Sequence, residues 1–227
     1  MPYADALALQ RGAAKARLSG VLDQDLLLLV EHPPVITLGR ATKAGNLLAS
    51  SAELAARRVE LFDVERGGDV TFHGPGQLVG YPIVNLERHT ADLHWYLRQL
   101  EEVMIRALAA FDIKGARNPG KTGVWVGARK IASIGVHVRQ WVTWHGFALN
   151  VTTDLSYFDL MVPCGIADVI MTSVERELLE RAQGPCLAPS PSLLDDVRAG
   201  TVAAFAALFV LTPHPMDAAA LAAAIEP

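Results

Sequence analysis

Apolar positions along this chain fall into two periods, and the switches between them mark out helices and strands. Residues 4–18 place Leu7, Ala8, Ala14 and Leu18 near helical spacing, with Arg11, Lys15 and Arg17 on other faces, which predicts a helix. The continuous apolar run 26–30 ends in Glu31-His32-Pro33-Pro34, and its length and double proline predict a buried strand. Strand resumes over 35–38 until Gly39-Arg40 turns it; residues 47–58 read as a short helix and 59–64 as a strand. Leu93, Leu97, Leu100, Met104, Leu108 and Phe111 recur every three or four residues. They predict the strongest helix of the chain, capped by Thr90 or Asp92, with its stripe on a sheet.

The stretch 124–151 is β-rich: a short strand at 124–126, a turn or strand start at 128–130, then strands over 131–138 and 141–151. Gly135 and Gly146 interrupt the last two, as glycines do at a bulge or where a ligand comes close. Residues 154–162 are loop-like. Thr172-Ser173-Val174-Glu175 and Ser192 with Asp195 are capping-box patterns that predict helices from 172 to about 182 and over 192–210. A Pro-rich linker covers 184–191, Pro213 and Pro215 end the second helix, and an Ala-rich tail from Asp217 forms a last short one. No repeat or convincing boundary divides the chain. It reads as one α/β domain over 1–227, with a C-terminal helical segment from about 190.

The segment between the strands at 59–64 and 78–86 stands apart. Arg66-Gly67-Gly68-Asp69-Val70-Thr71-Phe72-His73-Gly74-Pro75-Gly76-Gln77 holds four glycines in twelve residues. A turn alone rarely needs so many; glycine lets another molecule approach the main chain. The block reads as a loop that wraps a ligand with backbone N–H groups and keeps Arg66 and His73 beside it, or, more plainly, as an irregular hairpin turn.

Composition narrows the partners. The chain has 227 residues, 51% hydrophobic and 19% charged, with net charge -4, which argues against nucleic acid. The longest apolar run, 202–211, is too short to span a bilayer, and residues 1–17 lack the features of a signal peptide, so a cytoplasmic protein is expected. Residues 115–122 match the P-loop pattern G-x-x-x-x-G-K-[ST], but a helix precedes and strand follows, the reverse of what phosphate binding needs, so the match is read as accidental.

Two cysteines, Cys164 and Cys186, have no metal-type spacing. Cys164 sits between Pro163 and Gly165 ahead of a helix, where a thiol can be reached and activated by nearby N–H groups; Cys186, on the linker, lacks such context. A thiolate nucleophile needs a base or cation, and His73, His145 and Lys130 are candidates. Lys130 is followed by Ile131, Ala132 and Ile134; a lysine held among such groups loses its proton more easily. His32, before two prolines, reads as structural.

Taken together, Arg66-Gly67-Gly68, Thr71 and His73-Gly74-Pro75-Gly76-Gln77, Gly123-Val124-Trp125-Val126 leading to Lys130-Ile131-Ala132-Ser133-Ile134-Gly135, His145-Gly146-Phe147-Ala148-Leu149-Asn150 and Pro163-Cys164-Gly165-Ile166, with Glu31-His32-Pro33-Pro34 and Thr37-Leu38-Gly39-Arg40 upstream, closely resemble the lipoyl(octanoyl) transferases. The resemblance runs in one order over residues 31–175. It implies the biotin/lipoate protein ligase-like fold, a mixed sheet flanked by helices. It implies transfer of an octanoyl group from octanoyl-acyl carrier protein to a lysine on the lipoyl domains of 2-oxoacid dehydrogenase complexes and glycine cleavage H protein. Cys164 would carry the acyl group as a thioester, and Lys130 would favour the thiolate and act as general acid/base. Arg66, Gly67, Gly68, Asp69, Val70, Thr71, Phe72 and His73, with Ser133, Ile134, Gly135, Gly146, Phe147 and Ala148, would line the acyl site. No metal or cofactor is implied.

A thioester is already activated, so such a reaction needs no ATP. Its tetrahedral intermediates need N–H donors, for which Gly165 and the turn at 74–76 are candidates. Docking of acidic partners on a slightly acidic chain calls for a local basic patch, for which Arg117, Lys121 and Arg129, with Arg40 and Lys43, are the candidates. An ATP-dependent lipoate or biotin ligase of the same fold, a non-catalytic acyl-carrier-binding module and a cysteine hydrolase remain alternatives.

Overall fold

The computed structural model describes residues 1–181 and 190–225. Helix α1 (Tyr3–Ser19) follows Pro2 and stops at Gly20, whose φ of 77° is the left-handed conformation that ends many helices. Strands β1 (Leu26–Val30) and β2 (Val35–Leu38) follow, then α2 (Ser51–Ala56), β3 (Glu60–Asp63), β4 (Thr71–His73) and β5 (Gln77–Ile83). Next come α3 (Leu93–Ala109), β6 (Ala116–Asn118), β7 (Lys121–Val126), β8 (Arg129–Arg139) and β9 (Val142–Asn150). The chain closes with β10 (Ile170–Met171), α4 (Val174–Arg181), α5 (Leu193–Phe209) and α6 (Ala218–Ile225).

The strands form two sheets. The large one runs β1-β5-β9-β8-β7-β6 with antiparallel neighbours, and β10 adds to β8 in parallel. The small one runs β3-β2-β4. The two strands expected either side of Pro33-Pro34 thus belong to different sheets. Alternation along β5 sorts its two faces: Leu78 joins the core under α3 and α5, while Val79, Tyr81 and Ile83 join the core under α1. Leu193, Val197, Ala204, Phe205 and Phe209 of α5 belong to the first of these clusters, so the C-terminal segment packs into the main core.

Local signals account for most element ends, and four expectations are corrected. Helix α2 starts later than expected because Ser50 and Glu53 close a capping box and Leu47 is bridged to Met161. The cap of α4 is Ser173, whose Oγ accepts from Arg176 N–H at 3.2 Å, because the Thr172 N–H still belongs to the sheet edge, donating to the Lys130 carbonyl. Ser192 donates to the Asp196 carboxylate instead of capping α5. On α3, capped by Asp92 as expected, the buried face runs through Tyr96, Leu100, Val103, Met104 and Leu108, and Leu93 is left exposed. The stretch with the P-loop pattern is the β6–β7 hairpin. Cys186 and the linker's residues 184–189 lie outside the described residues. Among the described residues no helix is long and apolar enough to cross a membrane.

Candidate active site

Lys130, the second residue of β8, points inward and is 1% exposed. Val124 pairs with Ala132 and Trp125 with Lys130, so Ile131 is an extra residue on β8, a bulge. The bulge shifts the side-chain phase and lets Lys130 and Ser133, three apart, face one cavity, which strict alternation would forbid. Gly123 on the neighbouring strand makes room: an added Cβ would lie 2.9 Å from Lys130 Cε and 2.5 Å from the Ala132 carbonyl oxygen.

Cys164 sits in a single 3₁₀ turn, Pro163–Gly165, with φ 57°, a left-handed conformation costly for a residue with a side chain. Its N–H donates to the Val70 carbonyl at 3.0 Å, which ties the turn to the Gly-rich block. The sulfur is half-buried, with Lys130 Nζ at 3.4 Å and Ser133 Oγ at 3.5 Å. Lys130 Nζ also donates to the Thr122 carbonyl at 3.2 Å and lies 5.5 Å from the Trp125 ring centroid. A thiol and an amine thus share one small space, with a hydroxyl beside them.

The Gly-rich block divides by side. Arg66, Gly68, Asp69, Thr71 and His73 line the cavity of about 260 Å³ that holds Cys164 and Lys130. Val70 and Phe72 do not, because strand alternation turns them into the core of the small sheet. Gly67 does not either; its N–H is spent on the Val136 carbonyl at 2.8 Å. Ser133, Ile134, Gly135, Gly146, Phe147 and Ala148 all line the cavity. Arg66 is buried, donates to the Thr37 carbonyl and hydroxyl at 2.8 Å, and has no carboxylate within salt-bridge distance among the described residues. Desolvation lowers its pKa, so an anion or a developing oxyanion nearby would be welcome.

His73 and His145 also line the cavity, and neither reaches the sulfur in any hydrogen bond. Burial pushes the His73 imidazole down to about 3 and that of His145 to about 4, so both are neutral near pH 7. His73 Nδ1 shares a hydrogen bond with Gln77 Oε1 at 2.8 Å. Of the expected oxyanion donors, Gly165 N–H donates to the Val162 carbonyl and Gly76 N–H to Glu31 Oε2, so these two are not free. Tyr3, Val79, Tyr81 and Thr122 line the cavity without having been expected to. The only signal for Tyr81 was its place two residues after Val79 on one strand.

A mixed sheet flanked by helices, with a reachable thiol and a buried amine at the mouth of an internal chamber, defines an α/β enzyme of the lipoate-ligase type. The chain belongs to the lipoyl protein ligase A/B catalytic domain family, whose model matches residues 2–184. It is 47% identical to an octanoyltransferase of Nostoc sp. over 212 residues, 93% of this chain and 89% of that one. It is 55% identical to an octanoyltransferase of Rubrobacter xylanophilus over 179 residues, 78% of this chain and 80% of that one. Its fold is similar to that of a lipoate-protein ligase A solved with ATP, with TM-score 0.67 and 14% identity over 96% of this chain and 87% of that one.

Proposed function

We propose that this chain moves an octanoyl group from octanoyl-acyl carrier protein to the ε-amine of a lysine on lipoyl domains, through a thioester on Cys164. The lipoyl domains would be those of 2-oxoacid dehydrogenase complexes and the glycine cleavage H protein. The observation that carries the reading is the Lys130 amine 3.4 Å from the Cys164 sulfur at the mouth of a cavity.

Lys130 takes the thiol proton, and Sγ attacks the thioester carbonyl. The bond from the carbonyl carbon to the carrier's sulfur breaks, and the departing thiolate takes the proton from Lys130. In the second half the neutral ε-amine of the target lysine attacks the acyl-enzyme. A C–N bond forms, the C–Sγ bond breaks, and the amine's surplus proton passes through Lys130 to Sγ. Splitting one transfer into two through a thiol needs no outside activation. Charge on the tetrahedral oxygen would be met by Lys130 Nζ and Ser133 Oγ, which already flank the sulfur.

An ATP-dependent ligase is the competing reading, supported by fold likeness to the ATP-bound ligase at 14% identity. The octanoyltransferase relatives are far more similar in sequence, and the P-loop-like stretch is a hairpin with no helix N-terminus to hold phosphate. Intact mass after mixing with octanoyl carrier protein, without ATP, separates the two. The wild type is expected to gain one octanoyl group and pass it to a lipoyl domain, and Cys164→Ser to gain none. A wild type that acylates lipoyl domains only with ATP and free acid would overturn the transfer reading.

A further inference from the structure

We infer that Tyr3, on the N-terminal helix, is the inner stop of the acyl chamber and sets the longest acyl chain the enzyme accepts. The inference rests on the transfer reading above and goes beyond it by naming what limits the substrate.

Sheet register orders the chamber from mouth to end. Lys130 and Ser133 stand near the sulfur, and β8 then runs through Ile134 and Gly135 to Val136. Along β9 the partners are Ala148, Phe147, Gly146 and His145 in the same direction. Six residues of strand separate Lys130 from Val136, roughly 15–20 Å of path once the bulge is allowed for. Across the sheet the lining passes from β8 to β9 to β5: Ser133 pairs with Ala148, Ala148 with Val79, and Tyr81 lies two residues beyond Val79. Tyr81 and His145 are therefore at the end remote from the sulfur.

Tyr3 sits at that end. Its ring stacks on His73 with centroids 6.2 Å apart, meets His32 at 5.2 Å, and is 1% exposed. His32 in turn bonds the Tyr81 hydroxyl at 2.7 Å and the Met1 carbonyl at 2.8 Å, while the chain's amino group donates to the Glu31 carbonyl at 2.8 Å. The start of α1 is thus fastened to the sheet, and the Tyr3 ring is held by His32, Phe62 and His73, on three other segments. Burial raises the Tyr3 phenol to about 12, so the stop is uncharged and polar at its tip, poor company for further methylenes. The walls leading to it, Val79, Ala148 and Ile134, are apolar.

The test is competitive self-acylation of full-length protein by octanoyl, decanoyl and dodecanoyl thioesters, read by intact mass. Wild type is expected to favour octanoyl strongly. Tyr3→Ala should raise decanoyl relative to octanoyl roughly ten-fold or more, since each newly buried methylene contributes about four-fold. Tyr3→Leu, which keeps an apolar plug of shorter reach, should shift the ratio less, and Tyr3→Phe, which keeps the ring and loses only the polar tip, should shift it least. A folded Tyr3→Leu or Tyr3→Ala with the wild-type ratio would overturn the inference. A wild type that takes no acyl group from any of the thioesters would instead overturn the transfer reading.

Discussion

The Lys130 amine and the Cys164 sulfur are 34 residues apart in the chain and 3.4 Å apart in space. The amine is held from behind by the Thr122 carbonyl and the Trp125 ring, so it has little freedom to leave the sulfur. Lys130→Met keeps the length and loses the amine proposed to carry the proton. Acylation of Cys164 is expected to slow by about 10²–10⁴-fold, the usual worth of a general acid/base. The thermal midpoint should hold or rise, because an apolar side chain replaces a buried amine. Stopped-flow acylation beside a melting curve checks both; a slow enzyme that has also lost its fold would say nothing for a chemical role of Lys130 and would count against this account.

Gly165 holds the Cys164 turn in place. Its φ is 65°, and an added Cβ would lie 2.5 Å from Asp69 Oδ2 and 3.2 Å from Asn46 Nδ2. Gly165→Ala must therefore push the turn away from Asp69 and carry Cys164 off Lys130. The turn is at the surface, so the global fold should lose only about 1–2 kcal/mol, the usual cost of a left-handed residue with a side chain. The acylation rate should fall far more than the midpoint of urea unfolding. Equal, small effects on both would show that the turn tolerates displacement.

Thr37 is the main partner of the buried Arg66 guanidinium, whose Nε and Nη2 reach its hydroxyl at 3.3 and 2.8 Å. Thr37→Val preserves the shape and removes that acceptor. A hydrogen bond to a charged group contributes about 1.5–3 kcal/mol, and the loss should appear in denaturant unfolding. Arg66, left loosely held, should also bind acyl substrate less well, seen as a higher KM for the thioester. An unchanged unfolding midpoint would mean that water replaces the hydroxyl.

These relationships were unevenly legible in the sequence. Cys164 stood out because Pro and Gly flank it, and the Gly-rich block because no ordinary turn needs its composition. The α3 helix followed from periodicity and β1, β5, β7, β8 and β9 from their apolar runs, whereas β6 and β10 were not expected. The bulge at Ile131 was hidden, since an apolar run reads the same with or without a phase shift, yet it is the bulge that turns Lys130 and Ser133 to one side. Val70 and Phe72 were grouped with their neighbours by sequence adjacency, whereas strand alternation sends them into the core. Tyr3 looked like any residue at a helix start, because its neighbours His73 and His32 are distant in the chain.

The expected basic patch is divided by ion pairs that the sequence did not reveal. Arg117 is bonded to Glu101 and Glu102, and Arg129 to Glu177 and Glu180. Arg40 and Lys43 are exposed and make no ion pair among the described residues, on a loop whose Arg40 and Ala41 N–H groups bond Arg66 and Gly68 of the Gly-rich block. Reversing Arg40 and Lys43 to Glu should raise KM for acyl carrier protein several-fold, less so at high salt, while KM for a small octanoyl thioester stays put. Reversing Arg117 or Arg129 should instead lower thermal stability. Equal effects of Arg40 and Lys43 on carrier and small thioester would remove the docking role.

Acid should loosen this protein through its buried histidines. His32, His73 and His145 are buried and neutral, with burial holding them at about 4, about 3 and about 4. In the unfolded chain each takes a proton near the ordinary value of about 6.5. Between those limits the unfolded state binds more protons, so stability rises with pH and is lost as pH falls from about 6.5 toward 4. Each histidine contributes about 1.4 kcal/mol per pH unit within that window. The three together should give a steep fall in urea midpoint between pH 6.5 and 5, and His73→Gln should flatten the slope by about a third. The Glu65 carboxylate, held well below its usual range by Arg11 and Trp144, adds its own loss only further into acid, below about 4.5. A midpoint that is flat from pH 7 to 5 would mean that these imidazoles take up protons as readily in the folded protein as in the unfolded chain, and the chamber would then become cationic in mild acid.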